Sequence, residues 1–162
     1  KCLKSGADII AVNTAAIEDP NLIKILAQRL GSSSVVLSVE AKKINGEWLA
    51  FTSSGRENSG KKVVDWINQA ATLGVGEFCI TSVDSEGTFK GYNSELLKII
   101  SSLGIKEPII LSGGIGDYKD IVKIRNIINP SGVCIAGLFH YEKISIKQIK
   151  KSLIKEKFEI RI

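Results

Sequence analysis

Ser112-Gly113-Gly114 closes an apolar run and stands just before a helical pattern that begins near Gly116-Asp117. That arrangement suits an anion, because glycines let the backbone approach a phosphate while N–H groups and a helix N-terminus supply partial positive charge. Asn13-Thr14 ends another apolar run and offers side-chain donors to the same kind of group, although Thr14 could equally cap the helix that follows. Polar or glycine residues end the other runs as well: Glu40 at one, Thr81-Ser82 with Asp84 and Glu86 at the next, and Gly137 at the last. A carboxylate at such a position is either a proton-transfer group or a solvated rim residue. Thr81, at its strand end, is a plausible contact to a bound ligand.

The elements that position these groups alternate. Short apolar runs at residues 7–12, 35–39, 78–83, 108–111 and 133–136 lack period-2 patterning, as expected of parallel strands buried on both faces. Between them lie stretches with apolar residues at helical spacing, near 22–30, 63–71, 96–103, 121–128 and 144–153. Asp19-Pro20 supplies a cap and a first-turn proline to the first of them. One excursion interrupts the alternation: residues 41–51 carry Asn45-Gly46 between β-rich flanks, which predicts a hairpin. It ends in the polar, glycine-bounded segment 52–60, which reads as a mobile loop with Ser54-Gly55 as a hinged lid. Five consecutive β-α units admit an open doubly wound sheet or an arc of a (β/α)8 TIM barrel. Polar groups at nearly every strand end favour the barrel, whose active sites gather at that rim. The expected fold class is therefore α/β, a partial TIM barrel forming a single domain over residues 1–162.

The 162 residues are 44% hydrophobic and 24% charged, which excludes disordered and collagenous chains, and the longest apolar run is far short of the ~20 residues of a membrane helix. The formal +5 comes largely from Lys143, Lys147, Lys150, Lys151, Lys155 and Lys157, read as a solvated helix face. Without interleaved aromatics it predicts no nucleic-acid partner, and no membrane partner is expected. Cys2, Cys79 and Cys134 are odd in number and lack metal-ligand spacing, so they read as reduced core residues of a cytoplasmic protein, with no metal. Lys1 to Gly6 reads as the last turn of a helix closed by glycine, so the chain is expected to begin inside a domain, about three β-α units into an eight-stranded barrel.

At these residues the sequence resembles a known family. Asp8 with Val12-Asn13-Thr14-Ala15-Ala16, Thr81-Ser82-Val83-Asp84 with Gly87-Thr88 and Gly91-Tyr92, Ser112-Gly113-Gly114, the hairpin with Lys42-Lys43, Asp65-Trp66 and Phe139-His140-Tyr141 together resemble the cyclase subunit of imidazole glycerol phosphate synthase. The resemblance covers essentially the whole chain. It implies an enzyme of histidine biosynthesis with a glutaminase partner in a heterodimer, whose ammonia attacks a bis-phosphorylated formimino ribonucleotide at the barrel rim. No metal or organic cofactor is implied. Glu40 stands where the family has a general acid/base aspartate, and Glu86 where it has a second functional aspartate. Asn13, Thr14, Thr81, Ser112, Gly113, Gly114 and Gly137 fall on substrate and phosphate positions. Glu77 belongs to the gate through which ammonia enters.

The departures are as specific as the matches. Both carboxylates are one methylene longer than the family's, Gly137 replaces a phosphate-holding serine, and Ile9 replaces a gate lysine, leaving Glu77 short of a partner. Asp84 is expected to support the site by orienting Thr81 or loop amides, and His140 to pack rather than react. These departures motivate an alternative, a cyclase-like paralogue that partners a glutaminase and relays ammonia to another acceptor enzyme, such as a sugar amidotransferase. On either reading the chain alone is expected to be inactive as a cyclase and to self-associate through open sheet edges.

Overall fold

The structure, a computed structural model, describes residues 5–160. Its strands are β1 (Ile10–Val12), β2 (Val35–Ile44), β3 (Glu47–Thr52), β4 (Glu57–Lys62), β5 (Glu77–Ser82), β6 (Ile109–Ser112) and β7 (Gly132–Cys134). The helices are α1 (Thr14–Glu18), α2 (Asn21–Leu30), α3 (Val63–Thr72), α4 (Ser94–Ser102), α5 (Tyr118–Arg125), α6 (Gly137–His140) and α7 (Ile146–Lys155). Five strands are parallel and lie in the order β1-β2-β5-β6-β7, so spatial order follows sequence order throughout. A doubly wound sheet reverses at a switch point; this one does not, and it is the arc of a barrel. Among the described residues β1 pairs only with β2 and β7 only with β6, so the sheet is not closed.

Alternation along each strand separates two faces. Val35, Leu37, Val39, Phe78, Ile80 and Leu111 are fully buried against the helices, together with Ile23, Trp66, Ile67, Leu96, Ile100 and Ile124. Ser38, Glu40, Cys79, Thr81, Ile110 and Ser112 point to the concave face, where they are only half-buried. The helices start where chemistry allows. Asp19 Oδ1 accepts from the Asn21 N–H, Asn93 caps α4 through the Glu95 and Leu96 amides, and capping boxes open α5 (Asp117 with Asp120) and α7 (Ser145 with Gln148).

The predicted hairpin forms between β2 and β3, with Asn45 and Gly46 both in the left-handed region at φ 50° and 87°. The segment beyond it is a correction to the sequence reading. Glu57–Lys62 is not loop but a third antiparallel strand, paired with β3 through Leu49↔Lys62, Phe51↔Asn58 and Thr52↔Glu57. Only residues 53–56 turn. The sequence hid this strand because its side chains are polar and exposed, and an edge strand needs no apolar face of its own. Gly6 has φ 95°, as a helix-closing glycine requires, while the rest of that turn, with Cys2, lies outside the described residues. Lys147, Lys151 and Lys155 of α7 are exposed as expected. No helix among the described residues is long and apolar enough to cross a membrane.

Candidate active site

Register brings the predicted rim residues into one row. Glu40 of β2 lies beside Thr81 of β5, Thr81 beside Ser112 of β6, and Ser112 beside Cys134 of β7. One layer nearer the N-terminal ends, Ser38, Cys79, Ile110 and Gly132 form the next row. Glu77 lies a further layer down, beside Val36 and Ala11. The predicted residues thus divide between two ends of the barrel arc: all but Glu77 belong to the C-terminal rim.

At one end of the rim the turn after β3 is tied to the strand ends. The Gly55 N–H donates to Glu40 Oε2 at 2.7 Å, the Ser53 N–H donates to Thr14 Oγ1 at 3.2 Å, and Asn13 Nδ2 donates to the Phe51 carbonyl at 3.1 Å. Gly55 is required where it stands: φ is 73°, and a Cβ there would lie 2.9 Å from Val83 Cγ1. Ser54 is exposed at the tip with φ 59°. Segment 53–55 thus holds Glu40 by one carboxylate oxygen, through the Gly55 amide. Asn13 spends its amide N–H on Phe51, and its Oδ1 is buried without a partner. Thr14 retains its O–H as a donor, and no side chain caps α1.

At the other end a cavity of about 170 Å³ is lined by Glu86, Gly87, Phe89, the 112–115 turn and Cys134 to Gly137. Gly113 and Gly114 have φ 103° and 89°. The Gly114 carbonyl accepts from the Gly91 N–H at 2.8 Å, which locks the turn to the loop after β5. The helix expected to serve this anion site is already occupied. Asp120 Oδ2 accepts from the Gly116 and Asp117 amides at 3.0 and 3.2 Å, and Asp117 accepts from the Lys119 amide at 2.8 Å. The positive end of α5 is neutralised by its own carboxylates, so it is the glycine turn and the start of α6 that face the cavity. A larger cavity of about 590 Å³ lies between α5, β7 and α7. Its walls are polar and apolar in about equal measure, and none of the predicted site residues lines it.

Cys134 corrects a second reading. It is exposed at the end of β7 and lines the smaller cavity instead of the core. A hydrogen bond with Cys79 draws its pKa down to about 6 against an opposing effect of burial. The Cys79 thiol is pushed up, first by that hydrogen bond and then by burial and the neighbouring charge. The contact thus moves the two thiols apart, the one lining the cavity down and its neighbour up. Among the described residues no cluster of three metal-ligating side chains exists.

Asp84 was expected to orient Thr81 or loop amides; its Oδ2 instead accepts from the Lys43 N–H of β2 at 3.0 Å, joining the overrunning end of that strand to the turn after β5. Glu77 has found a partner that the sequence did not disclose, since Ser131 Oγ donates to its Oε1 at 2.8 Å. Ile9 is 53% exposed at the same N-terminal end of the arc. His140 is exposed and meets Tyr141 edge-on at 5.0 Å. Sequence reasoning missed Phe89, Val83 and Ser131. None carries a motif signal, and only Gly137, by lacking a side chain, hinted that something bulky stood opposite.

With five parallel strands in barrel order and the polar row at their C-terminal ends, comparison with known proteins is decisive. Residues 1–145 match the model of the family described as "Histidine biosynthesis protein". The chain belongs to that family. Among its relatives, the imidazole glycerol phosphate synthase subunit HisF of Streptococcus sanguinis (strain SK36) is 37% identical over 163 residues, covering 100% of this chain and 64% of the relative. The subunit of the same name from Saccharolobus solfataricus is 37% identical over 161 residues, 99% of this chain and 63% of the relative. That of Legionella pneumophila is 48% identical over 119 residues, 73% of this chain and 56% of the relative. The chain thus spans a little under two thirds of the length of the curated relatives it matches.

Proposed function

We propose that this chain forms the last five β-α units of a cyclase barrel of histidine biosynthesis, an imidazole glycerol phosphate synthase subunit. In this reading ammonia from a glutaminase partner attacks a bis-phosphorylated formimino ribonucleotide, giving imidazole glycerol phosphate and aminoimidazole carboxamide ribonucleotide. The observation that carries it is the single row Glu40-Thr81-Ser112 flanked by two separate polar sites, one at Thr14 and one at the glycine-lined cavity. An elongated substrate with a phosphate at each end calls for that layout. Glu40, held through Oε2 by the Gly55 amide, moves protons at the reacting centre between the two sites. Glu86, at the cavity edge, positions substrate, as does Thr81. Ammonia enters from the opposite end, past Ile9 and Glu77, where the glutaminase docks. A cytoplasmic location follows from this pathway, and residues 1–162 on their own are inactive and self-associate.

One observation favours the alternative paralogue: Cys134 and the Glu86 carboxylate line the cavity, and Gly137 offers no hydroxyl to a phosphate there. Ammonium-dependent turnover of the formimino ribonucleotide by the full-length protein tests the choice. Turnover that Glu40→Gln abolishes supports the cyclase. A folded protein that stimulates a glutaminase yet turns nothing over supports the ammonia relay.

A further inference from the structure

Phe89 is the one aromatic side chain on the wall of the glycine-lined cavity, and nothing in the proposed reaction uses it. Its backbone sits in the left-handed region at φ 57°, a conformation that costs a non-glycine residue energy and that persists only where the surroundings impose it. The surroundings are specific. Thr88 Oγ1 donates to the Ser85 carbonyl at 2.7 Å, and the Gly91 N–H to the Gly114 carbonyl at 2.8 Å, fixing the loop on both sides of the phenylalanine. A Cβ at Gly116 would lie 2.0 Å from the Phe89 carbonyl oxygen, so the chain following the glycine turn passes directly beneath.

The ring is held just as firmly. Lys143 Nζ stands 3.7 Å from its centroid, a cation–π contact, and Tyr141 meets it edge-on at 6.2 Å. So placed, the ring occupies the space above Gly137. A Cβ on residue 137 would lie 2.8 Å from both Phe89 Cε1 and Cζ, closer than carbon atoms approach without one of them moving. The two residues are therefore coupled: any side chain at position 137 has to displace the end of the Phe89 ring. The enclosed volume, about 170 Å³, is below the roughly 300–1,000 Å³ of sites that engulf a whole ligand, so it accommodates only one end of a ligand.

Resting on the reading of this cavity as an anion subsite, we propose that Phe89 is its specificity residue: clamped by Lys143 over Gly137, its ring limits the cavity to a single terminal phosphate and excludes a diphosphate.

The test measures binding of inorganic phosphate and of pyrophosphate to the full-length protein by calorimetry, so that it stands apart from turnover. Wild type is expected to bind phosphate at least tenfold more tightly than pyrophosphate. Phe89→Ala is expected to lower that ratio at least tenfold, while Phe89→Leu, which keeps most of the volume, preserves it. Gly137→Ser is expected to weaken phosphate binding about tenfold or more, and Phe89→Ala/Gly137→Ser to recover it, because the hydroxyl then has room to donate to the anion. Lys143→Gln, a change at an exposed residue, releases the ring without removing it and should relax the same ratio several-fold even if Phe89→Ala proves unstable. A ratio unchanged in both Phe89→Ala and Lys143→Gln, or a Gly137→Ser protein that binds phosphate like wild type, overturns the proposal. Wild type that binds neither anion overturns the anion-subsite reading itself, which is a separate failure.

Discussion

Replacing Gly55 by alanine separates the support of Glu40 from its chemistry. The new methyl group would lie 2.9 and 3.2 Å from the two Val83 Cγ atoms, on a backbone at φ 73°. The left-handed conformation costs an alanine about 1–2 kcal/mol, and forcing a methyl into an occupied space about 1–3 kcal/mol. Together these amount to roughly 2–5 kcal/mol, or about 4–20 °C in Tm for a chain of this size. The strain must be relieved by moving the turn, and with it the amide that holds Glu40 Oε2. A shift of about 1 Å at an acid/base group can cost on the order of 10²-fold in rate. Thermal melts and ammonium-dependent kcat, measured on Gly55→Ala, Val83→Ala and the double variant, follow both effects. Val83→Ala should cost less in the Gly55→Ala background than alone, with a coupling of about 0.5–3 kcal/mol. Glu40→Gln is the counterpart: the amide oxygen still accepts from Gly55, so Tm should hold within about 2 °C, while kcat falls by about 10²–10⁴. Additive melts, or Gly55→Ala with unchanged Tm and kcat, would refute the view that the turn supports the carboxylate.

Other expectations follow from individual contacts. Alkylation of Cys134 by iodoacetamide should rise through about pH 6 rather than near the ordinary thiol value of 9.0, because the Cys79 hydrogen bond favours the thiolate; Cys79→Ala should move the midpoint up, and an unshifted midpoint would contradict the role of that hydrogen bond. Asp120→Ala strips the Gly116 and Asp117 amides of their acceptor and should cost about 1–3 kcal/mol, seen as a Tm lower by roughly 2–12 °C. Asp84→Ala should lower Tm by only a few degrees, since the Lys43 amide it accepts from is at an exposed position, and a larger loss would mean that the overrun of β2 depends on it.

The arc of strands was legible because parallel strands covered by helices leave near-continuous apolar runs, and the turn between β2 and β3 because Asn45-Gly46 has few other uses. β4 was not, since its residues 57–62 bury nothing that a pattern could register. Among site residues, the row from Glu40 to Ser112 followed from strand ends alone. What decides their environment did not. The Gly55 amide, the Cys79 thiol and the Phe89 ring act through distances between segments far apart in sequence, and no residue type announces them. Likewise Asp120 looked like an ordinary helix-start acid, yet from that position it removes the α5 N-terminus from the anion site.

The same long-range contacts bear on whether the departures from the family pattern are decay or adjustment. Random loss leaves unpaired groups and voids, whereas a selected site keeps its parts mutually consistent. Glu40, longer by a methylene, has its added reach taken up by the Gly55 amide. Gly137, without a side chain, leaves room for a ring that would have to shift if it had one. Glu77, at the end of the arc where Ile9 stands in place of a lysine, accepts from Ser131. Each of the three departures is met by a contact from a different element, which is what adjustment, rather than unaccompanied loss, predicts for these positions.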